Sequence, residues 1–146
     1  RRGWEGYSAL LLRAAYAQAP GRRAPANLPD SWANDPVYGE VMIREDLKYS
    51  AILRATIWLP GDFDFQFNFP YLTGDDDVVV ASTASLLANL QEFSNQPLIL
   101  EEDRQERQGL DDRAVPFAEA ADVGIRVLTQ LAQDAVRSRL PIILSF

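Results

Sequence analysis

Carboxylates dominate the chemistry open to this chain, because among its 146 residues there is no histidine and no cysteine. Without imidazole there is no Ser-His-Asp triad, no histidine general base and no histidine metal ligand. Without a thiol there is no disulfide, no cysteine nucleophile and no thiolate-held zinc or iron–sulfur centre. The serines Ser8, Ser50, Ser82, Ser85 and Ser94 stand in no Gly-x-Ser-x-Gly setting, and neither glycine-rich phosphate loop occurs. Asp62 and Asp64, two residues apart on an extended chain, point the same way about 7 Å apart, and Gln66 and Asn68 continue that face. Such a pair could hold a divalent cation or act as acid and base. It is equally what the wet face of a half-exposed strand looks like. Asp75, Asp76 and Asp77 follow Gly74 and offer hard oxygen ligands, but they lack the spacing and terminal Glu of a calcium loop. An acidic turn entering a strand is the simpler reading. No metal and no cofactor is assigned.

One constellation is sharper. Pro29-Asp30 is followed after a gap by Asp46-Leu47-Lys48, and Lys48 is the only lysine beside thirteen arginines. Two carboxylates can hold Mg²⁺ while an ammonium stabilises an attacking water or a charged transition state. In these five residues the chain resembles the PD-(D/E)xK nucleases. The resemblance implies a metal-dependent nuclease or hydrolase built on Asp30, Asp46 and Lys48, with the acid-x-Lys on a strand. Against it stands the charge of the rest of the chain.

That charge is uneven. Net charge is −7, yet residues 1–60 carry +2, residues 61–112 carry −10, and residues 113–146 carry +1. The acidic middle holds Asp62, Asp64, Asp75–Asp77 and the stretch from Glu101, Glu102 and Asp103 to Asp112. A field of this sign repels phosphate backbones and attracts basic proteins. Aromatics interleaved with basic residues, the mark of a nucleic-acid surface, are missing apart from the pair Arg22-Arg23. The expected partner is therefore another, basic protein, with no nucleic acid and no membrane. Binding residues are expected among Asp75, Asp76, Asp77, Glu101, Glu102 and Asp103. Trp32, inside a proline-rich stretch, either anchors that loop to the core or serves as an exposed aromatic anchor for the partner.

These residues need elements to position them. A chain of this length suits one domain, 1–146, with a core of ordinary size. Glu5 and Arg13 interrupt the N-terminal apolar stretch, so it reads as a helix with Trp4, Tyr7, Leu11 and Ala15 on one face and not as an export signal. No run approaches the roughly 20 apolar residues of a membrane span. The expected location is cytoplasmic. Residues 19–36, with Pro20, Gly21, Pro25, Pro29 and Pro36 among small residues, read as a loop or arm. Period-two alternation over 51–59 and 63–69, around Pro60-Gly61-Asp62, predicts a β-hairpin with Leu59 opposite Phe63 and Ile57 opposite Phe65. Its four phenylalanines are then sheet core beneath helices. Residues 40–44 suit either a strand or part of a helix starting at Pro36 and capped by Asp35. Val78–Ala81 predicts a buried strand, Ser82 a helix cap, and Leu86, Leu87, Leu90 and Phe93 the face of that helix. Leu98–Leu100 reads as a short strand and residues 101–112 as an acidic loop. A long helix over 114–138 carries Phe117, Ala121, Gly124, Ile125, Leu128, Leu131, Ala132 and Ala135 on one face, and a terminal strand over 142–146 follows.

The fold class expected is mixed α/β: a sheet with a Phe-rich hairpin, packed by two or three helices, ending in a long helix and a strand. The expected function is a non-catalytic protein-binding domain with an acidic surface. In character it is like the small bacterial immunity or antidote proteins that neutralise a basic toxin. The alternatives are the nuclease above and a structural or assembly subunit of a larger complex.

Overall fold

The computed structural model describes residues 2–70, 77–101 and 114–144. The fold is mixed α/β, with five α-helices and one four-stranded sheet among these residues. The chain divides into two compact units, Arg1–Leu47 with Gln96–Arg126, and Lys48–Asn95 with Val127–Phe146. No helix among the described residues is long and apolar enough to cross a membrane.

The first unit is built on helix α1 (Arg2–Ala17). Ala9, Leu10, Leu12, Ala14 and Ala15 are wholly buried, so the helix is enclosed on nearly every side over its second half. Trp4, placed on its apolar face by periodicity, is instead exposed. Arg13, the one charge in that stretch, meets Asp122 at 2.8 Å. Gly6 and Gly124 touch backbone to backbone, which is why neither position carries a side chain.

The proline-rich arm is ordered by the residues that precede its prolines. Ala24 and Leu28 stand before Pro25 and Pro29, a position biased to extended backbone. Ala24 donates to Ile99 and accepts from Glu101, both at 2.7 Å, and Leu28 donates to Val115 at 2.8 Å. Helix α2 (Pro36–Met42) follows, with Pro36 in its first turn. The Asp35 side chain caps it, accepting from Val37 N at 2.8 Å and Tyr38 N at 3.1 Å. Of the two readings of residues 40–44, the capped helix is the one adopted.

In the second unit, helix α3 (Ser50–Leu53) leads to strand β1 (Ile57–Leu59). Strands β2 (Phe67–Pro70) and β3 (Asp77–Ser82) and helix α4 (Thr83–Ser94) follow. Helix α5 (Phe117–Ser138) begins in the first unit and ends in the second, where β4 (Ile142–Ile143) completes the sheet. Strand order is β2-β3-β1-β4. β1 runs parallel to β3, while β2–β3 and β1–β4 are antiparallel. Ser82 caps α4, accepting from Ser85 N at 2.9 Å, and Leu86, Leu90 and Phe93 are buried.

The expected hairpin of residues 51–59 with 63–69 is not formed: Ile57 pairs with Val80 and Ile143 and Leu59 with Ser82, while the Phe-rich strand β2 pairs antiparallel with β3. Residues 50–53 are helical because their apolar residues do not really alternate: Ala51, Ile52 and Leu53 are all buried. That turn of helix presents the Ala51 carbonyl to the buried Trp58 Nε1, at 2.7 Å. β1 then takes the apolar β3 as its parallel neighbour, as suits a central strand. Helix α5 starts at Phe117 rather than 114, since Val115 is held by Leu28 and Phe117 N donates to Ala26 at 3.0 Å. Of its expected apolar face, Leu131 is exposed.

Candidate functional site

Register fixes which side chains share a face of the sheet, because directly paired residues point the same way. Trp58 pairs with Ala81 and with Ile142, and all three are buried. Around Trp58 this face is closed, with α3 tied to it through the Trp58–Ala51 hydrogen bond, whereas Asn68, paired with Val79 on the same face, is exposed. The opposite face carries a row across all four strands: Phe67, Val80, Ile57 and Ile143. Phe69 and Val78 form the next pair along.

This second face is exposed at its two margins, on β2 and β4, and buried between them at Val80. Phe67 is 38% exposed, Phe69 53% and Ile143 63%, while Val80 is buried beneath its neighbours. Phe65, 61% exposed, extends the aromatic row: its ring lies 4.9 Å from Phe63 and 6.4 Å from Phe67. The expectation that these phenylalanines form sheet core under helices is therefore overturned. A strand pattern reveals alternation, but it does not say which of two apolar faces the helices will cover.

The segment feeding β2 is held in place by polar contacts. The carbonyl of Phe63 accepts from the Ser82 hydroxyl at 2.6 Å and from the Ser85 hydroxyl at 3.2 Å. Gln66 Nε2 donates to the Ser50 hydroxyl at 2.6 Å. Asp62 and Asp64, between and before the aromatics, are exposed. Among the described residues β2 is an edge strand of the sheet.

The chain matches no family model, no curated protein and no solved structure. The site must be judged on its own chemistry.

Asp75, Asp76, Glu102 and Asp103 lie outside the described residues; Asp77 opens β3. Glu101 is exposed at a cleft of about 290 Å³ in the first unit, together with Tyr16, Arg22, Arg23 and Asp35. The sequence pattern did not single out this cleft, whose residues converge only through the pairing of the arm with residues 99–101. Its carboxylate Asp35 is committed to structure, capping α2 with one oxygen and accepting from Tyr16 at 2.9 Å with the other. Burial, then that hydrogen bond and the charge of Asp35, hold the Tyr16 phenol well above its ordinary pKa. Arg22 pairs with Glu40 at 3.0 Å. The cleft thus has polar walls, with Asp35 and Arg22 engaged in structural contacts and Glu101 exposed at its mouth.

Trp32 sits in a 3-10 turn (Trp32–Asn34), half-buried, with its ring edge-to-face on Tyr38 at 5.2 Å. Asp30 is exposed in the arm. Asp46-Leu47-Lys48 lies in a loop and not on the strand that the nuclease pattern requires. The Lys48 ammonium pairs with Glu92, which raises its pKa by hydrogen bonding and by charge. Among the described residues no three acidic side chains converge as a metal site would need.

Proposed function

We propose that this chain is a non-catalytic protein-binding domain whose partner is basic and docks on the Phe-bearing margin of the sheet. The reading is carried by one observation: Phe65, Phe67 and Phe69 are exposed in and just before strand β2, with neighbouring rings 6.4 Å apart for Phe65 and Phe67. Clustered aromatic rings left in water are the mark of an interaction site. The sign of the partner follows from charge. Asp62 and Asp64 are exposed beside the aromatics, in a stretch of sequence, 61–112, that carries −10. Negative charge of this kind steers a basic protein towards it and discourages acidic ones. An antidote that masks a basic toxin fits this description, and so does a subunit of a larger assembly with a basic neighbour.

The test is capture of partners by the tagged chain, compared with the Asp62→Lys/Asp64→Lys variant and repeated at rising salt. The expected result is a basic protein that is retained at low salt, weakened as salt screens the charges, and lost on charge reversal. Retention of no protein, or of one indifferent to both salt and reversal, contradicts the reading.

A further inference from the structure

We propose that the cleft of the first unit binds a free α-amino acid with a small apolar side chain. The carboxylate of this ligand lies on Arg23, its ammonium faces Glu101 and Asp35, and its side chain rests on Pro25, Pro36 and Val37. This goes beyond the protein-binding reading and does not depend on it. The pairing of the arm with residues 99–101 builds the cleft. Ala24 and Leu100 bridge in parallel, with Ala24 N donating to the Ile99 carbonyl and Glu101 N to the Ala24 carbonyl, both at 2.7 Å. That register sets Glu101 beside Pro25, and Arg23, two residues before Pro25, lines the same cleft. Behind them the Tyr16 phenol, 8% exposed, donates to Asp35 Oδ2 at 2.9 Å, while Asp35 Oδ1 takes the two amides of the α2 cap. An ionised carboxylate has roughly four acceptor sites. Asp35 Oδ2 therefore keeps room for one more donor.

Charge and size select the ligand. Arg22 is engaged by Glu40, and Asp35 by Tyr16 and the cap. Arg23 and Glu101, both exposed, enter no ion pair among the described residues. The cleft thus offers a ligand one cation and one anion, and its charged groups, Arg22, Arg23, Asp35 and Glu101, sum to zero. Both signs act at one place: the charges of Asp35, Glu101 and Arg22 all reach the Tyr16 phenol. A multiply charged anion would meet two carboxylates here, and a polyamine two guanidiniums. A zwitterion satisfies both signs at once. At about 290 Å³ the cleft lies at the lower edge of the roughly 300–1,000 Å³ usual for small-molecule pockets. That suits one amino acid and not a nucleotide.

The experiment titrates the full chain with valine, with isovalerate, which lacks the ammonium, and with isobutylamine, which lacks the carboxylate. Calorimetry reads the affinity, and amide chemical shifts locate the site. Expected are valine-dependent shifts at Ala24, Val37 and Glu101, and at least tenfold weaker binding of each truncated ligand. Arg23→Gln and Glu101→Gln should each weaken valine binding at least tenfold with Tm unchanged, because both side chains are exposed. No binding of valine at millimolar concentration overturns the proposal. Isovalerate bound as tightly as valine, or valine bound equally by Glu101→Gln, also overturns it, in favour of a plain anion site on the arginines. Shifts confined to other residues place the ligand elsewhere and overturn it as well. None of these outcomes bears on capture of a partner through the phenylalanines, so the two readings fail separately.

Discussion

Gly6 and Gly124 show how a single hydrogen in place of a side chain can set a helix crossing. A Cβ added at Gly124 would fall on the carbonyl of Gly6 and within 3.1 Å of the Leu10 Cβ, whereas one added at Gly6 would lie 3.3 Å from Gly124 N. Backbone cannot yield as a flexible side chain does. Gly124→Ala is therefore expected to destabilise the protein by about 1–3 kcal/mol through overpacking, and Gly6→Ala by less, as read by denaturant titration. The tyrosines of the same unit set its alkaline limit. Burial, with a smaller contribution from Tyr38, raises the Tyr7 phenol to about 12, and burial and Asp35 raise Tyr16 further. Phenols in the unfolded chain ionise near 10. Below that pH the folded and unfolded states bind the same phenolic protons. Above it the unfolded state loses them first, so stability falls as pH rises from about 10 towards 12. Unfolding free energy measured across that window should decline, and Tyr7→Phe should decline less steeply. A profile unchanged by that substitution would show that burial of the Tyr7 phenol does not set the limit.

Strand β2 is the element on which expectation and structure part most clearly. The exposed phenylalanines in it and just before it imply that Phe65→Ser/Phe69→Ser costs less than about 1 kcal/mol of stability, where buried phenylalanines would cost several. Thermal unfolding of that variant checks the point directly; a collapse in Tm would mean that these rings are core after all. Elements with a local chemical signature were readable in advance. Asp35 before Pro36, and Ser82 before Thr83, mark helix starts that hydrogen bonding bears out. The run Val78–Ala81 lies in a strand, and the long amphipathic pattern ends at Ser138. Strand pairing was not readable to the same degree. Residues 51–59 and 63–69 both suit extended chain, but which strand sits beside which is decided by long-range packing around Trp58. The candidate site suffered for the same reason. Its acidic side chains at 62 and 64 stand out in the sequence, whereas the exposure of Phe65, Phe67 and Phe69 depends on which sheet face the helices choose.

Across the whole molecule, the acidic stretch of chain is also the one that carries the exposed phenylalanines, while other exposed apolar side chains, among them Val127, Leu131 and Ile143, lie outside it. Residues 61–112 hold twelve of the 21 acidic groups together with the exposed phenylalanines, and the flanking segments are near neutral. An acidic segment alone would serve solubility, and an exposed apolar face alone would invite self-association. With Asp62 and Asp64 next to the aromatics in the chain, the proposed reading has charge opposing self-pairing and favouring a partner of opposite sign. Association should therefore be fast at low salt and slow steeply as ionic strength rises, while dissociation changes little. Stopped-flow mixing with the captured partner reads both rates, and an association rate indifferent to salt would speak against steering. The most direct test of the central claim is the affinity of that partner for the intact chain and for Phe65→Ser/Phe69→Ser. A loss of at least tenfold, with the variant still folded, is the predicted result; equal affinity for the two would place the binding surface elsewhere and contradict the account.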